Sequence, residues 1–145
     1  MTVNEVSFDT SRLRQILKKT YFFQSLKMNE LDELISHIRS SSFKKGAEVI
    51  RQGDPGNAFY LIATGRVSVW VKKAFSKNKV AELFPDQFFG EMALISNEPR
   101  NATIIAEENS DLFVLYQNDF NKILMKNPAV SQELRRIFNE RKQKR

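Results

Sequence analysis

The sequence predicts an α+β domain in which short antiparallel strands are flanked by helices at both ends. Apolar residues recur at helical spacing up to residue 40 and again from residue 118, whereas the stretch 43–116 breaks into short β-type runs separated by turn residues. One segment, 88–103, follows neither rhythm. At 145 residues the chain suits a single domain, and a chain of this size removes roughly 68–70% of its unfolded surface from water on folding. The expected layout is one unit over 1–145, helical in 1–40, stranded in 43–116 and helical in 118–142.

Each element has its own signal. Leu13, Ile16, Leu17 and Tyr21 share a helical face, and Leu31, Leu34, Ile35 and Ile38 repeat the pattern. Asn29 stands where an N-cap belongs, with Glu30, Asp32 and Glu33 suited to the positive end of the helix dipole. Strands are expected at Ala47–Arg51, Phe59–Ala63, Arg66–Lys72, Lys79–Phe84, Ala102–Glu107 and Asp111–Tyr116. Such runs favour an antiparallel barrel or sandwich over βαβ units. Within Arg66–Lys72, Val67, Val69 and Val71 alternate with Ser68 and Trp70, so the valine face should point inward. Gly53-Asp54-Pro55-Gly56-Asn57 forms a compact turn, and Gly46, Gly53, Gly56 and Gly65 are assigned to turns without a ligand role. Phe22 and Phe23 read as packing between helix and strands. Phe120, Ile123 and Leu124 begin the C-terminal helices. Asn127 before Pro128 then caps a last helix carrying Val130, Leu134, Ile137 and Phe138 on one face.

Composition narrows the function. The chain has no Cys and one His, His37, which excludes disulfides, thiol nucleophiles and cysteine or histidine metal clusters. No calcium loop, P-loop or G-x-S-x-G motif occurs, so an enzyme is not expected. The formal net charge of +6 is concentrated at one end: residues 135–145 carry six basic side chains against Glu140, and the remainder is nearly neutral. A fold that reads DNA spreads its basic groups over a groove-facing surface. The terminal run therefore reads as a solvated helix end, and nucleic acid is not an expected partner. The opening residues lack a signal-peptide pattern, and the apolar runs fall far short of the ~18 residues of a membrane span. These features predict a cytoplasmic protein without a membrane span.

The exceptional segment holds the chemistry. Gly90 opens a few good helix formers, and the N–H groups at such an opening can meet an anion. Arg100, just past Pro99, could return a guanidinium fork to the same place. Glu91 would then accept hydroxyl hydrogen bonds rather than hold phosphate. The competing reading pairs Arg100 with Glu91 on the surface.

Phe89-Gly90-Glu91-Met92-Ala93-Leu94 followed by Pro99-Arg100-Asn101-Ala102 resembles the phosphate-binding cassette of cyclic nucleotide-binding domains. Phe43-x-x-Gly46, Ile50-x-x-Gly53-Asp54-x-Gly56, Tyr60 and Gly65-x-Val67 extend the likeness over most of the chain. The resemblance implies a β-roll, of jelly-roll type, flanked by N-terminal and C-terminal helices, with a short cassette helix inserted. It implies that Gly90, Met92 and Ala93 offer backbone N–H groups, that Arg100 pairs with the cyclic phosphate and that Glu91 accepts from the ribose 2′-hydroxyl. Asn101 and Ala102 complete the ligand-binding set. Asn101 departs from the Ala, Ser or Thr usual after the arginine. Val69 and Val80 would lie under the base, though both serve equally well as plain core. Leu134, Ile137 or Phe138 would cap the base as a lid, because their stripe otherwise lacks an apolar partner. The implied ligand is cyclic AMP, with cyclic GMP as the alternative, and no cofactor is expected. The partner would be an effector domain or protein of unknown kind. A ligand-free interaction module of the same fold and the sensor half of a transcription regulator are the competing functions.

Overall fold

The computed structural model describes residues 10–20 and 23–143, and within the last helix the side chains of Val130, Leu134, Phe138 and residues 141–143 fall outside the description. Tyr21, placed above on the first helical face, and Phe22, assigned to packing, lie outside the described residues.

Helices α1 (Thr10–Lys19) and α2 (Met28–His37) lead into eight strands: β1 (Arg39–Phe43), β2 (Glu48–Ile50), β3 (Ala58–Thr64), β4 (Val67–Lys73), β5 (Ser76–Leu83), β6 (Phe88–Phe89), β7 (Thr103–Ala106) and β8 (Ser110–Tyr116). A 3₁₀ turn at Glu91–Leu94 interrupts them between β6 and β7. Helices α3 (Gln117–Met125) and α4 (Pro128–Gln143) follow. The strands form two antiparallel four-stranded sheets, ordered β1-β8-β3-β6 and β2-β7-β4-β5. This is the expected β-roll between helical ends. No helix among the described residues is long and apolar enough to cross a membrane.

Burial explains the strand composition. Phe59 and Leu61 of β3, with Phe113 and Leu115 of β8, pack on Leu13, Leu17, Leu34, Phe120 and Ile123 of the helices. Their neighbours Ile62 and Leu112 point the other way, joining Val67, Phe89 and Ile104 inside the roll. Strands β3 and β8 are thus covered on both faces, which is why they read as continuous apolar runs. Phe23 seals the helical side edge-on, its ring centroid 5.7 Å from Phe59 and 6.1 Å from Phe120. In β4, Val67 is buried and Val69 is packed against the roll interior, so the valine face points inward as expected. Ser68 on the opposite face is buried too, because its hydroxyl bonds Glu107 Oε2 at 2.5 Å and accepts from Trp70 Nε1 at 2.8 Å.

Three expectations are corrected. Residues 39–40 are not helical: Arg39–Phe43 pairs with β8, Arg39 opposite Val114 and Phe43 opposite Ser110. A strand written Arg-Ser-Ser-Ser-Phe lacks apolar alternation, and its place is set by the ladder rather than by its side chains. Strand β6, only Phe88–Phe89, pairs with Tyr60 and Leu61 and had been counted with the cassette. Finally, Asn29 does not cap α2. The helix begins two residues earlier, with Lys27 at the N-cap, and buried Glu30 turns its carboxylate back to accept the Lys27 N–H at 2.7 Å.

The β3–β4 turn rests on Gly65, whose φ is +94°; a Cβ there would fall 2.7 Å from Ser110 Cα. Gly65→Ala therefore adds left-handed strain of ~1–2 kcal/mol to a backbone clash with β8. A total loss of about 2–4 kcal/mol should lower Tm by roughly 5–15 °C in thermal unfolding.

Candidate functional site

Arg100 is fixed before its side chain is considered. Its N–H donates to Asp54 O at 2.7 Å, its carbonyl accepts from Gly53 N–H at 2.8 Å, and Pro55 and Pro99 form an isolated bridge. The Gly53–Asn57 turn thus holds Arg100 from below, and Nη2 donates to Ala58 O at 2.8 Å. The guanidinium lies between two glycines. A Cβ on Gly90 would stand 2.7 Å from Arg100 Nη1, and one on Gly56 would stand 3.2 Å from Arg100 Cζ and 3.1 Å from Ala93 Cβ. Any side chain at either position would occupy the space of the arginine.

Across from Arg100, Gly90 takes φ +80° and ψ 18° and starts the 3₁₀ turn. Gly90, Glu91, Met92, Ala93, Arg100 and Asn101 line one cleft of about 140 Å³ with Gly56, Ser96, Glu98 and Pro99. Six of the seven expected ligand residues therefore come together. Ala102 is not among the lining residues; it is buried at the approach to β7. Ala93 N–H closes the turn on Gly90 O at 3.0 Å. The 3₁₀ turn thus spends one of the three N–H groups expected to face a ligand.

The electrostatics favour an anion. Arg100 is half-buried, and no carboxylate among the described residues forms an ion pair with it, so the surface pair with Glu91 does not form. Burial draws its pKa below the ordinary arginine value, and the neighbouring Tyr60 opposes that shift. Tyr60 itself is pushed up by burial, partly offset by Arg100. It stacks on Phe89 with ring centroids 5.0 Å apart. A partly desolvated guanidinium with most of its five donors unspent binds an anion more strongly than a surface lysine would.

The remaining expected residues lie elsewhere. Val69 packs in the roll interior. Val80 is the extra residue of a bulge where Val69 faces Ala81 and Trp70 faces Lys79, and it is 57% exposed. Neither lines the cleft. Ile137 is half-buried against the helical core, so the stripe already has an apolar partner. The side chains of Leu134 and Phe138 lie outside the described ones. Sequence reasoning passed over Gly56 and the Ala58 carbonyl. Gly56 was legible in principle, since a second glycine three residues after Gly53 exceeds what one turn needs; a backbone carbonyl leaves no trace in side-chain identity.

A β-roll whose inserted turn faces a clamped arginine defines a class of ligand-binding sensor domain. The sequence matches the family model of the Cyclic nucleotide-binding domain over residues 40–127, and the chain belongs to that family. It is 35% identical over 134 residues to the cyclic nucleotide-gated potassium channel mll3241 of Mesorhizobium japonicum, covering 92% of this chain and 36% of the channel. Against the cAMP-dependent protein kinase regulatory subunit of Candida albicans it is 35% identical over 124 residues, covering 85% of this chain and 26% of the subunit. It spans about a third or less of these relatives' lengths. Among solved structures, the N-terminal domain of a transcriptional regulator from Streptomyces coelicolor superposes with a TM-score of 0.77 at 26% identity, over 89% of this chain and 91% of that one.

Gly90→Ala should push the guanidinium off Ala58 O and strain the turn by ~1–2 kcal/mol, weakening cyclic nucleotide binding about tenfold or more by calorimetry. Gly46→Ala is the control. Its φ is +88°, yet nothing lies within 4 Å of the added Cβ, so it should cost comparable stability and leave affinity unchanged.

Proposed function

We propose that this domain is a non-enzymatic sensor of cyclic AMP that transmits occupancy through its last helix. The observation that carries the reading is Arg100, a half-buried guanidinium without a carboxylate partner among the described residues, at a cleft lined by Gly90 and Met92. It takes the cyclic phosphate, aided by the N–H groups of Gly90 and Met92. Glu91, on the same cleft, accepts from the ribose 2′-hydroxyl. The named ligands of relatives support the choice of cyclic AMP, the kinase regulatory subunit being cAMP-dependent. Asn101 also lines the cleft. Its amide can donate and accept, so cyclic GMP is the ligand to set against cyclic AMP. The effector is a further domain or a partner protein, of the kinds the relatives' names describe: a channel, a kinase or a transcription regulator.

Calorimetry with cyclic AMP, cyclic GMP and 5′-AMP tests the ligand. Cyclic AMP should bind at micromolar Kd or tighter, about −8 kcal/mol, and 5′-AMP far more weakly because of its extra charge and open sugar-phosphate shape. Arg100→Leu should lose roughly one to two orders of magnitude, and Glu91→Gln less. Equal affinity for cyclic AMP and 5′-AMP would overturn the assignment.

The lid requires helix α4 to exchange partners. Ile137 packs on the helical core, so closing over a base means leaving that contact, with Leu134, Ile137 or Phe138 supplying the cap. A covered side chain of this size contributes roughly 1.5–3 kcal/mol, offset by the contact given up. Amide hydrogen exchange across 131–141 should change on saturation with cyclic AMP, and removal of 131–145 should weaken binding only modestly. Unchanged exchange would show that α4 is no ligand-driven lid.

A further inference from the structure

The β4–β5 hairpin projects a feature that the nucleotide site does not use. Its two-residue turn is Ala74-Phe75, between paired Lys73 and Ser76, and Phe75 is wholly exposed. Two-residue hairpin turns favour Gly, Asn or Asp in positive-φ conformations, yet neither Ala74 nor Phe75 has positive φ. Local turn chemistry therefore gives no reason for a phenylalanine at the apex. Lys72, Lys73 and Lys77 stand behind it, with no acidic residue between Lys72 and Lys79, while Lys79 is taken up in an ion pair with Glu82. Lys72 and Lys77 face each other directly across the ladder, an arrangement of like charges that costs stability.

The hairpin is also stiffened. Lys72 N–H donates to Gln52 Oε1 at 2.7 Å, and Lys72 O accepts from Gln52 Nε2 at 3.0 Å. Lys77 Nζ lies 5.4 Å from the centre of the Trp70 ring. Lysines on the edge strand β5 have an ordinary use in blocking edge-to-edge pairing. Lys72 and Lys73 lie past Trp70, where the pairing of β4 with β7 ends, so they too border an open edge, but an exposed phenylalanine at the apex would work against that use.

We propose that this hairpin docks the domain on an anionic phospholipid surface, Phe75 entering the headgroup boundary and the lysines meeting the lipid phosphates. A single aromatic point ringed by cations suits a soft, charged interface. A protein partner would need a broad complementary patch, on the order of 800 Å² per side, whereas the tip offers one side chain. Anionic headgroups would also relieve the opposed Lys72 and Lys77.

The test is co-sedimentation of the full chain with vesicles of phosphatidylcholine doped with phosphatidylserine, compared with phosphatidylcholine alone. Binding should require phosphatidylserine and fall at high salt. It should drop roughly tenfold in Phe75→Ser, and roughly fivefold per charge in Lys72→Gln and Lys77→Gln. A cooperative thermal transition and unchanged cyclic nucleotide affinity in these exposed-site variants would separate this proposal from the sensor reading. The single tryptophan, Trp70, gives a fluorescence reporter beside the hairpin. Three outcomes overturn the proposal: no binding to anionic vesicles, vesicle binding insensitive to all three variants but lost when residues 135–145 are removed, or Phe75-dependent capture of an acidic polypeptide in the absence of vesicle binding.

Discussion

The guanidinium of Arg100 is held half-buried by a carbonyl and two glycines, with no carboxylate among the described residues in an ion pair to neutralise it. Taking a cation partly out of water costs free energy unless a counter-charge is supplied. Much of the surrounding architecture can be understood as supporting that cost. The Gly53–Asn57 turn exists as a clamp, bonding Arg100 on both sides of its backbone. Gly90 is left-handed, and Gly56 lies too close to Arg100 for a side chain. The roll supplies the rigidity: Ala58, whose carbonyl receives Nη2, begins a strand paired to both β8 and β6. A site of this kind is complete only with an anion, and stability given up at the arginine becomes affinity when one arrives.

The same logic separates what the sequence made legible from what it did not. Strands β3 and β8 were readable because burial on two faces leaves an apolar run, and β4 because its valines alternate. The cassette was readable as a group because its residues follow a spaced pattern resembling a known family's, and the structure brings Gly90 to Ala93 and Arg100 to one cleft. Strand β1 was not, since three serines gain their conformation from hydrogen bonds to β8 rather than from their own preference. The N-terminus of α2 was misplaced by two residues because Glu30, read as a dipole partner, reaches back to cap. The Ala58 carbonyl was invisible for a more general reason: every residue but its neighbours could have supplied it. Val80 shows a third kind of limit. Alternation carries a side chain to a predictable face only while the register is unbroken, and the bulge at Val69/Trp70 resets it.

The cassette is also part of the core. Leu94 is fully buried in the helical cluster, and Met92, which lines the cleft, packs against that same cluster with Ile95. Phe120, Ile123 and Leu124 of α3 and Ile137 of α4 belong to it too. A ligand that shifts Met92 therefore presses on atoms already in contact with both C-terminal helices. Interiors packed to crystal-like density respond to such a push by moving an element rather than by compressing.

Which element yields follows from how each is anchored. Helix α3 buries three large side chains and continues directly from β8, so displacing it would open the helical core. Helix α4 contributes Ile137 alone to that core among its described side chains, and that residue is only half-buried. The joint between them is suited to bending. Pro128 has no N–H to give, and Asn127 serves both sides, its side-chain amide donating to Ile123 O at 3.1 Å and its carbonyl accepting from Ser131 N–H at 3.0 Å. Rotation about Asn127 can preserve the first of these bonds while α4 swings, because the amide belongs to the end of α3 and the carbonyl to the start of α4. The roll and α3 thus share one packed frame, to which α4 is joined through Asn127 and Pro128 and, among its described side chains, through Ile137.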